Sequence, residues 1–244
     1  MGVGTLNESS LHKTLKFQYA GPKGLTEAEI GEFVADGVRE DGEYIEVQTG
    51  SFAPLRKKIK ALAKNKKAKI RIIHPIAVNK YIEVYDDEAF KPQRTRSAQR
   101  NVNKKETILW RRKSPKKGSI WSLFEALMYA PELPLLPGVT IEAVLVDVTE
   151  IRVKDGKGSW RRKGISIKDR KLTAWHESIV FKKPSDYNRR FIPFKKGEKF
   201  TTAVLAARAA INTDTARMAL FVLTKMKLVK RTEKQGNAWV YIRK

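Results

Sequence analysis

A chain of 244 residues can bury one sizeable core and carry a small second domain. It has no cysteine, which excludes disulfides, thiolate catalysis and thiolate-held zinc, and its three histidines (His12, His74, His176) are too scattered for a zinc site. No run of eighteen apolar residues or charged-then-apolar leader is present, so the expectation is a cytoplasmic protein with no membrane partner; 50 Lys and Arg against 26 Asp and Glu, a net +24, point to a polyanionic partner, nucleic acid first.

"LNESSLHKTLKFQYA" (6–20) spaces Leu11, Leu15 and Tyr19 along one helical face, with Asn7 as N-cap and Gly21, Pro22 and Gly24 as the stop. Thr26 and Glu29 have the spacing of a capping box over a brief helical turn. Two short strands follow, near 33–39 and 43–48. "SFAPLRKKIKALAKNKK" (51–67) predicts a basic amphipathic helix, with Pro54 in its first turn and Leu55, Ile59 and Leu62 on its apolar face. The β-branched "AKIRIIHPIAV" (68–78) predicts a buried strand and "YIEVYD" (81–86) another. Between 91 and 118 periodicity fails and basic residues dominate, as in a basic loop around a short strand at 107–112. A helix over 119–130 and a long strand over 139–153 come next.

"WRRKS" (110–114) is echoed by "WRRKG" (160–164). Phosphate contact with an aromatic brace is one use for such clusters, and solvated strand ends are another. Arg111, Arg112, Lys113, Lys116, Lys117, Arg161, Arg162 and Lys163 are the candidate phosphate contacts. Trp110, Trp121, Trp160, Trp175 and Trp239 are expected to pack, and His74 to be a core histidine.

After Pro184 three short helical patterns precede two strands around a Gly-Asn turn. This order, with "TDTAR" opening the third helix and "LTKMKLVKR" before the hairpin, resembles a winged helix-turn-helix. The resemblance implies that Thr213, Thr215 and Arg217 face the major groove, with Lys230, Arg231 and Lys234 on phosphate. It divides the chain into a first domain, 1–183, and a DNA-binding domain, 184–244.

Residues 1–50 run against the basic trend, with nine acidic residues to four basic ones. Several acidic residues crowd the hairpin "VADGVREDGEYIEVQ" (34–48). A two-residue Asp41-Gly42 turn would set Asp36 and Glu46 on opposite faces. A three-residue loop, Glu40-Asp41-Gly42, places Gly42 where a left-handed residue is required and pairs Arg39 with Glu43. Asp36 then lies opposite Glu46, and Asp36, Glu46 and Gln48 share a face, while Ile45 and Val47 point into a core. The second register is the expected one. Neighbouring carboxylates repel unless a cation joins them.

Asp36 followed by Glu46-Val47-Gln48 on the next strand, then a helix, resembles the PD-(D/E)XK nuclease superfamily. The resemblance implies an α/β fold with a restriction-endonuclease-like mixed sheet flanked by helices. It implies Mg²⁺ or Mn²⁺ held by Asp36 and Glu46, with Glu8 as a further ligand, and a water activated against a phosphodiester. Ala35 stands at the usual Pro. Gln48 stands at the usual Lys, as a water-orienting residue, and Lys57 or Lys58 on the following helix could supply charge. The function expected is metal-dependent DNA endonuclease. The alternative is a non-catalytic DNA-binding protein, regulatory or architectural. RNA stays open as a substrate, and so does a homodimer.

Overall fold

The computed structural model describes residues 8–87 and 108–244, and its largest element is a seven-stranded mixed sheet. The strands are β1 (Leu25–Ile30), β2 (Phe33–Val38), β3 (Tyr44–Val47), β4 (Ile70–Asp86), β5 (Ile108–Lys113), β6 (Val139–Lys154) and β7 (Ile165–Phe181). Their order is β1-β2-β3-β4-β6-β7, with β5 on β4. β3 and β4 pair in parallel, and β1–β2, β2–β3 and β4–β5 are antiparallel. The helices are α1 (Ser10–Ala20), α2 (Arg56–Leu62), α3 (Leu123–Leu127), α4 (Pro184–Phe191), α5 (Thr202–Arg208) and α6 (Thr213–Lys225). An α/β fold with a mixed sheet flanked by helices is therefore observed. None of the helices among the described residues is long and apolar enough to cross a membrane.

Several expectations need correcting. Thr26 and Glu29 lie in β1, where burial alternates with period two and the backbone pairs with β2, so cross-strand pairing wins over the local capping signal. The strands expected at 68–78 and 81–86 are one strand, β4, which runs through Pro75. The helix expected over 51–67 is a 3-10 turn, Ala53–Leu55, leading into α2. That expected over 119–130 is a 3-10 turn, Ile120–Ser122, leading into the five-residue α3. Asn7 and residues 91–107 of the basic segment lie outside the described residues.

Two units can be distinguished, joined by the covalent run of the long strands. Residues 15–76, 118–145 and 177–244 form one. A large apolar cluster lies in it, joining Ile59 of α2, Ile70 and Ile72 of β4, Leu127 of α3, Phe191 of α4 and Leu223 of α6. Phe124 and Phe191 meet edge-on at 4.6 Å inside it. The C-terminal segment ends in a small sheet, β8 (Lys199–Thr201), β10 (Ala238–Arg243) and β9 (Val229–Gln235) in that order, with Gly236 at positive φ in the β9–β10 turn.

The other unit holds residues 8–14, 77–87, 108–117 and 146–176 among those described. Its apolar cluster is small, made of Tyr85, Ile151 and Val153. Leu11, Ile82, Val84, Val146 and Val148 are buried in it as well, and buried charged groups lie among them. Glu150, 1% exposed, meets Lys80 at 2.9 Å, Arg152 at 2.6 Å and Arg170 at 3.2 Å.

Candidate functional site

The site starts at a glycine. Gly42 takes φ +79° and donates its N–H to the Arg39 carbonyl at 2.9 Å, and Arg39 donates to the Glu43 carbonyl at 3.0 Å. A side chain at Gly42 would be strained by the left-handed backbone although space is open around it. Gly37 pairs with Ile45 and Val38 with Tyr44, the register of the three-residue loop. One further step sets Asp36 opposite Glu46.

There the ladder opens. In this register the Val47 N–H would go to the Ala35 carbonyl, since bonded pairs alternate. It goes instead to Asp36 Oδ2, at 2.7 Å. The Val34 carbonyl accepts from Lys58 Nζ at 2.7 Å. The same ammonium stands 2.5 Å from Glu46 Oε1, close in charge but without the alignment of a hydrogen bond. Asp36, Glu46 and Lys58 thus meet where β2 and β3 part. Lys57 turns elsewhere, 3.6 Å from Glu32 and over the Phe33 ring.

Both faces of β3 are buried. Ile45 and Val47 face apolar packing as expected, and Glu46, 1% exposed, is covered too. Burial pushes the Glu46 carboxyl up to about 7, Lys58 pulls it down, and Asp36 adds to the rise. At Glu46 one lysine does not offset burial and the neighbouring carboxylate.

Gln48 follows β3, and its side chain is bound to the next turn. Its Nε2 donates to the Ser51 carbonyl at 2.7 Å. Its own carbonyl accepts from His74 Nδ1 at 2.6 Å, which fixes the histidine proton on Nδ1. His74 is buried edge-on to Phe52, and burial lowers its pKa, so it is a neutral core histidine.

Mg²⁺ takes one or two carboxylates and completes its shell with water and phosphate oxygens. Asp36 and Glu46 fit that donor set. Among the described residues no group of three or more His, Asp or Glu side chains is placed to hold a metal ion. Glu8 lies just before α1, 3.8 Å from His12.

The basic candidates fall on four elements. Arg111, Arg112 and Lys113 line β5, exposed throughout, with Lys116 and Lys117 exposed just after it. Arg111 lies 3.3 Å from Glu83, and its guanidinium stands over Tyr81. Arg161, Arg162 and Lys163 belong to a 3-10 turn after β6, where Arg162 Nε donates to the Ile165 carbonyl. On α6, Thr213 and Arg217 are exposed and Thr215 half-buried. Asn212 caps this helix through Thr215 N, and Arg217 pairs with Asp214 at 2.5 Å. Lys230, Arg231 and Lys234 are exposed on β9, with Arg231 and Lys234 over the Trp239 ring.

The tryptophans divide. Trp121 packs against Phe124 and Phe191 as expected. Trp110, Trp160 and Trp239 are 39%, 83% and 36% exposed, and each has a cation over its ring. From the sequence all three are expected to pack, although the Trp-Arg-Arg-Lys clusters at 110 and 160 also read as an aromatic brace beside phosphate contacts.

The family model described as "Domain of unknown function (DUF8091)" matches residues 9–102 and 91–182. An uncharacterized protein of Treponema pallidum (strain Nichols) is 28% identical over 183 residues, 75% of this chain, and the chain spans 65% of that protein's length. No solved structure matches the chain.

Proposed function

Since the chain belongs to the DUF8091 family, whose description names no chemistry, we propose its function from the site itself: a Mg²⁺- or Mn²⁺-dependent DNA endonuclease. In this reading the sheet and its flanking helices are a restriction-endonuclease-like core, and the C-terminal segment is a winged helix. The observation that carries the reading is Lys58, set 2.5 Å from Glu46, the carboxylate that Asp36 also acts on. The Asp and Glu of the PD-(D/E)XK pattern stand opposite each other, and the cation missing at Gln48 arrives from α2.

Asp36 and Glu46 would hold the metal. When bound, the metal lowers the pKa of a coordinated water and offsets charge on the scissile phosphate. The chain's own residues supply the rest. Asp36 is oriented by the Val47 N–H, and Lys58 is oriented by the Val34 carbonyl. Lys58 would supply an ammonium charge beside Glu46 to offset charge on the bound phosphate. Gln48 is fastened to Ser51 through Nε2, which leaves its amide oxygen to orient water.

The C-terminal order is α4, β8, α5, α6 and the β9–β10 hairpin, with β8 joined to β10. A helix, a strand, two helices and a hairpin closed by that strand support the winged-helix reading. Residues 184–244 would then be the DNA reader, with α6 toward the groove and β9 along phosphate.

The test is cleavage of supercoiled plasmid, and of a structured RNA, by purified protein with Mg²⁺, Mn²⁺ or EDTA. Metal-dependent nicking of the plasmid is expected. Cleavage of the RNA alone changes the substrate. Binding of DNA without cleavage under either metal replaces the nuclease with a non-catalytic DNA-binding protein.

A further inference from the structure

We propose that Trp160 is a stacking platform for unpaired bases, so that the unit containing it selects nucleic acid with single-stranded nucleotides. This deepens the substrate class of the nuclease reading, and rests on that reading only for the claim that the bound strand is cut.

Trp160 is 83% exposed, so the chain does not use this indole in its own packing. A slack loop could leave an aromatic in water by default, but this loop is tied down. Asp155 accepts from the Lys157 N–H at 3.1 Å and from Ser166 Oγ at 2.7 Å, and pairs with Lys168 at 3.2 Å. Gly158 donates to the Gly164 carbonyl at 3.0 Å. A Cβ at Gly158 would lie 1.9 Å from the Ile165 carbonyl oxygen, so the crossing requires glycine. Arg162 N–H bonds to the Ser159 carbonyl at 2.9 Å and Lys163 N–H to the Trp160 carbonyl at 3.0 Å, closing the 3-10 turn under the indole. Lys163 then takes φ +50°, a backbone that a non-glycine residue adopts at a cost. The ring is held out by structure.

Its surroundings choose the occupant. The Arg161 guanidinium stands 5.5 Å from the ring centroid, and exposed Lys163 closes the same turn. A flat π surface beside a cation, on a turn that carries a second one, matches a base joined to its phosphates. Apolar anchors for protein partners sit instead within desolvated, charge-poor patches. A paired duplex keeps its bases stacked on one another, leaving the indole no face to cover. The same unit repeats the device on β5, where Arg112 lies 5.8 Å from the half-exposed Trp110 ring.

The experiment is fluorescence anisotropy in EDTA with the full chain and its Trp160→Ala, Trp160→Phe and Arg161→Ala variants. The probes are a single-stranded DNA, the RNA of the same sequence, a forked duplex and a blunt duplex, with anionic phospholipid vesicles as a separate arm. Trp160→Ala should weaken single-strand and fork binding roughly 5- to 100-fold and leave the blunt duplex within about twofold. Trp160→Phe should keep most of the affinity, and unchanged melting should show that the fold is intact. Equal affinity of Trp160→Ala and parent for the single strand sinks the proposal. So does an equal loss on all probes, or a parent that binds vesicles but no oligonucleotide. Because metal is absent, these outcomes stand whether or not the protein later cleaves with Mg²⁺, and failed cleavage alone would count only against the nuclease reading.

Discussion

Glu150 in one unit and Glu46 in the other are each 1% exposed, yet their environments drive them in opposite directions. Burial raises both. At Glu150 the hydrogen bonds from Lys80 and Arg152 outweigh it, with their charges, and the carboxyl falls to about 2. At Glu46 burial outweighs Lys58, Asp36 repels, and the carboxyl rises to about 7. A carboxylate with surplus donors is a fixed clamp, ionised at any ordinary pH. One with a deficit is poised to gain either a proton or a metal ion, which marks it as a functional candidate.

The largest expected effect is on cleavage. Asp36→Ala and Glu46→Ala should each reduce plasmid nicking to the level of the metal-free control while leaving DNA binding equal or slightly tighter. A variant that nicks at the parental rate would remove the site, and Glu46 would become a second structural acid.

Glu150→Gln should have the largest effect on stability. It strands Lys80, Arg152 and Arg170 around a neutral group, at about 3–5 kcal/mol near pH 7. The folded pKa lies below the unfolded value, so the stabilisation is present above about 4.5 and is lost as pH falls toward about 2. Urea titrations at pH 7 and at pH 2.5 should show the parent and variant converging in acid. A pH-independent difference would mean that packing, not charge, is lost.

Glu46→Gln should act with the opposite sign. Between about 4.5 and about 7 the folded state binds the extra proton, so Glu46 favours folding in acid and opposes it as pH rises through 7. Removing the charge should therefore stabilise the fold at pH 8 by up to about 3 kcal/mol and change little at pH 4.5. Destabilisation at pH 8 would show that Lys58 holds the ionised carboxylate better than its surroundings suggest.

The smallest effects belong to β9, distant in sequence from both acids. Lys230→Ala and Arg231→Ala should each lower the salt slope of DNA binding by about one, uniformly across sequences. Unchanged slopes would take β9 off the phosphate backbone.

The hairpin was legible because one residue constrained it. Gly42 decides between two registers that differ in which face Asp36 and Glu46 share, and local turn chemistry suffices for that choice. The choice of Lys58 over Lys57 was not legible, because it depends on how α2 is rolled against β3. The Glu150 clamp joins residues 20 and 70 positions apart, and no local pattern announces it. β7 escaped notice because "ISIKDRKLTAWHESIVF" is polar and mostly exposed or half-buried, so its strand character comes from its neighbour in the sheet. β1 was misread because a capping box and an alternating strand share the same few letters.

The bond from the Val47 amide to Asp36 has a spectroscopic consequence. In most of a ladder an amide proton is held by a carbonyl, whose acceptor strength does not change with pH or ligand. Here it is held by a carboxylate whose oxygens can be shared with a cation. The Val47 amide resonance and its exchange with deuterium should therefore follow what Asp36 binds, shifting on addition of Mg²⁺. Backbone amides of Val38 and Ile45, inside the regular ladder, should stay still. The strand carries its own indicator dye, one hydrogen wide.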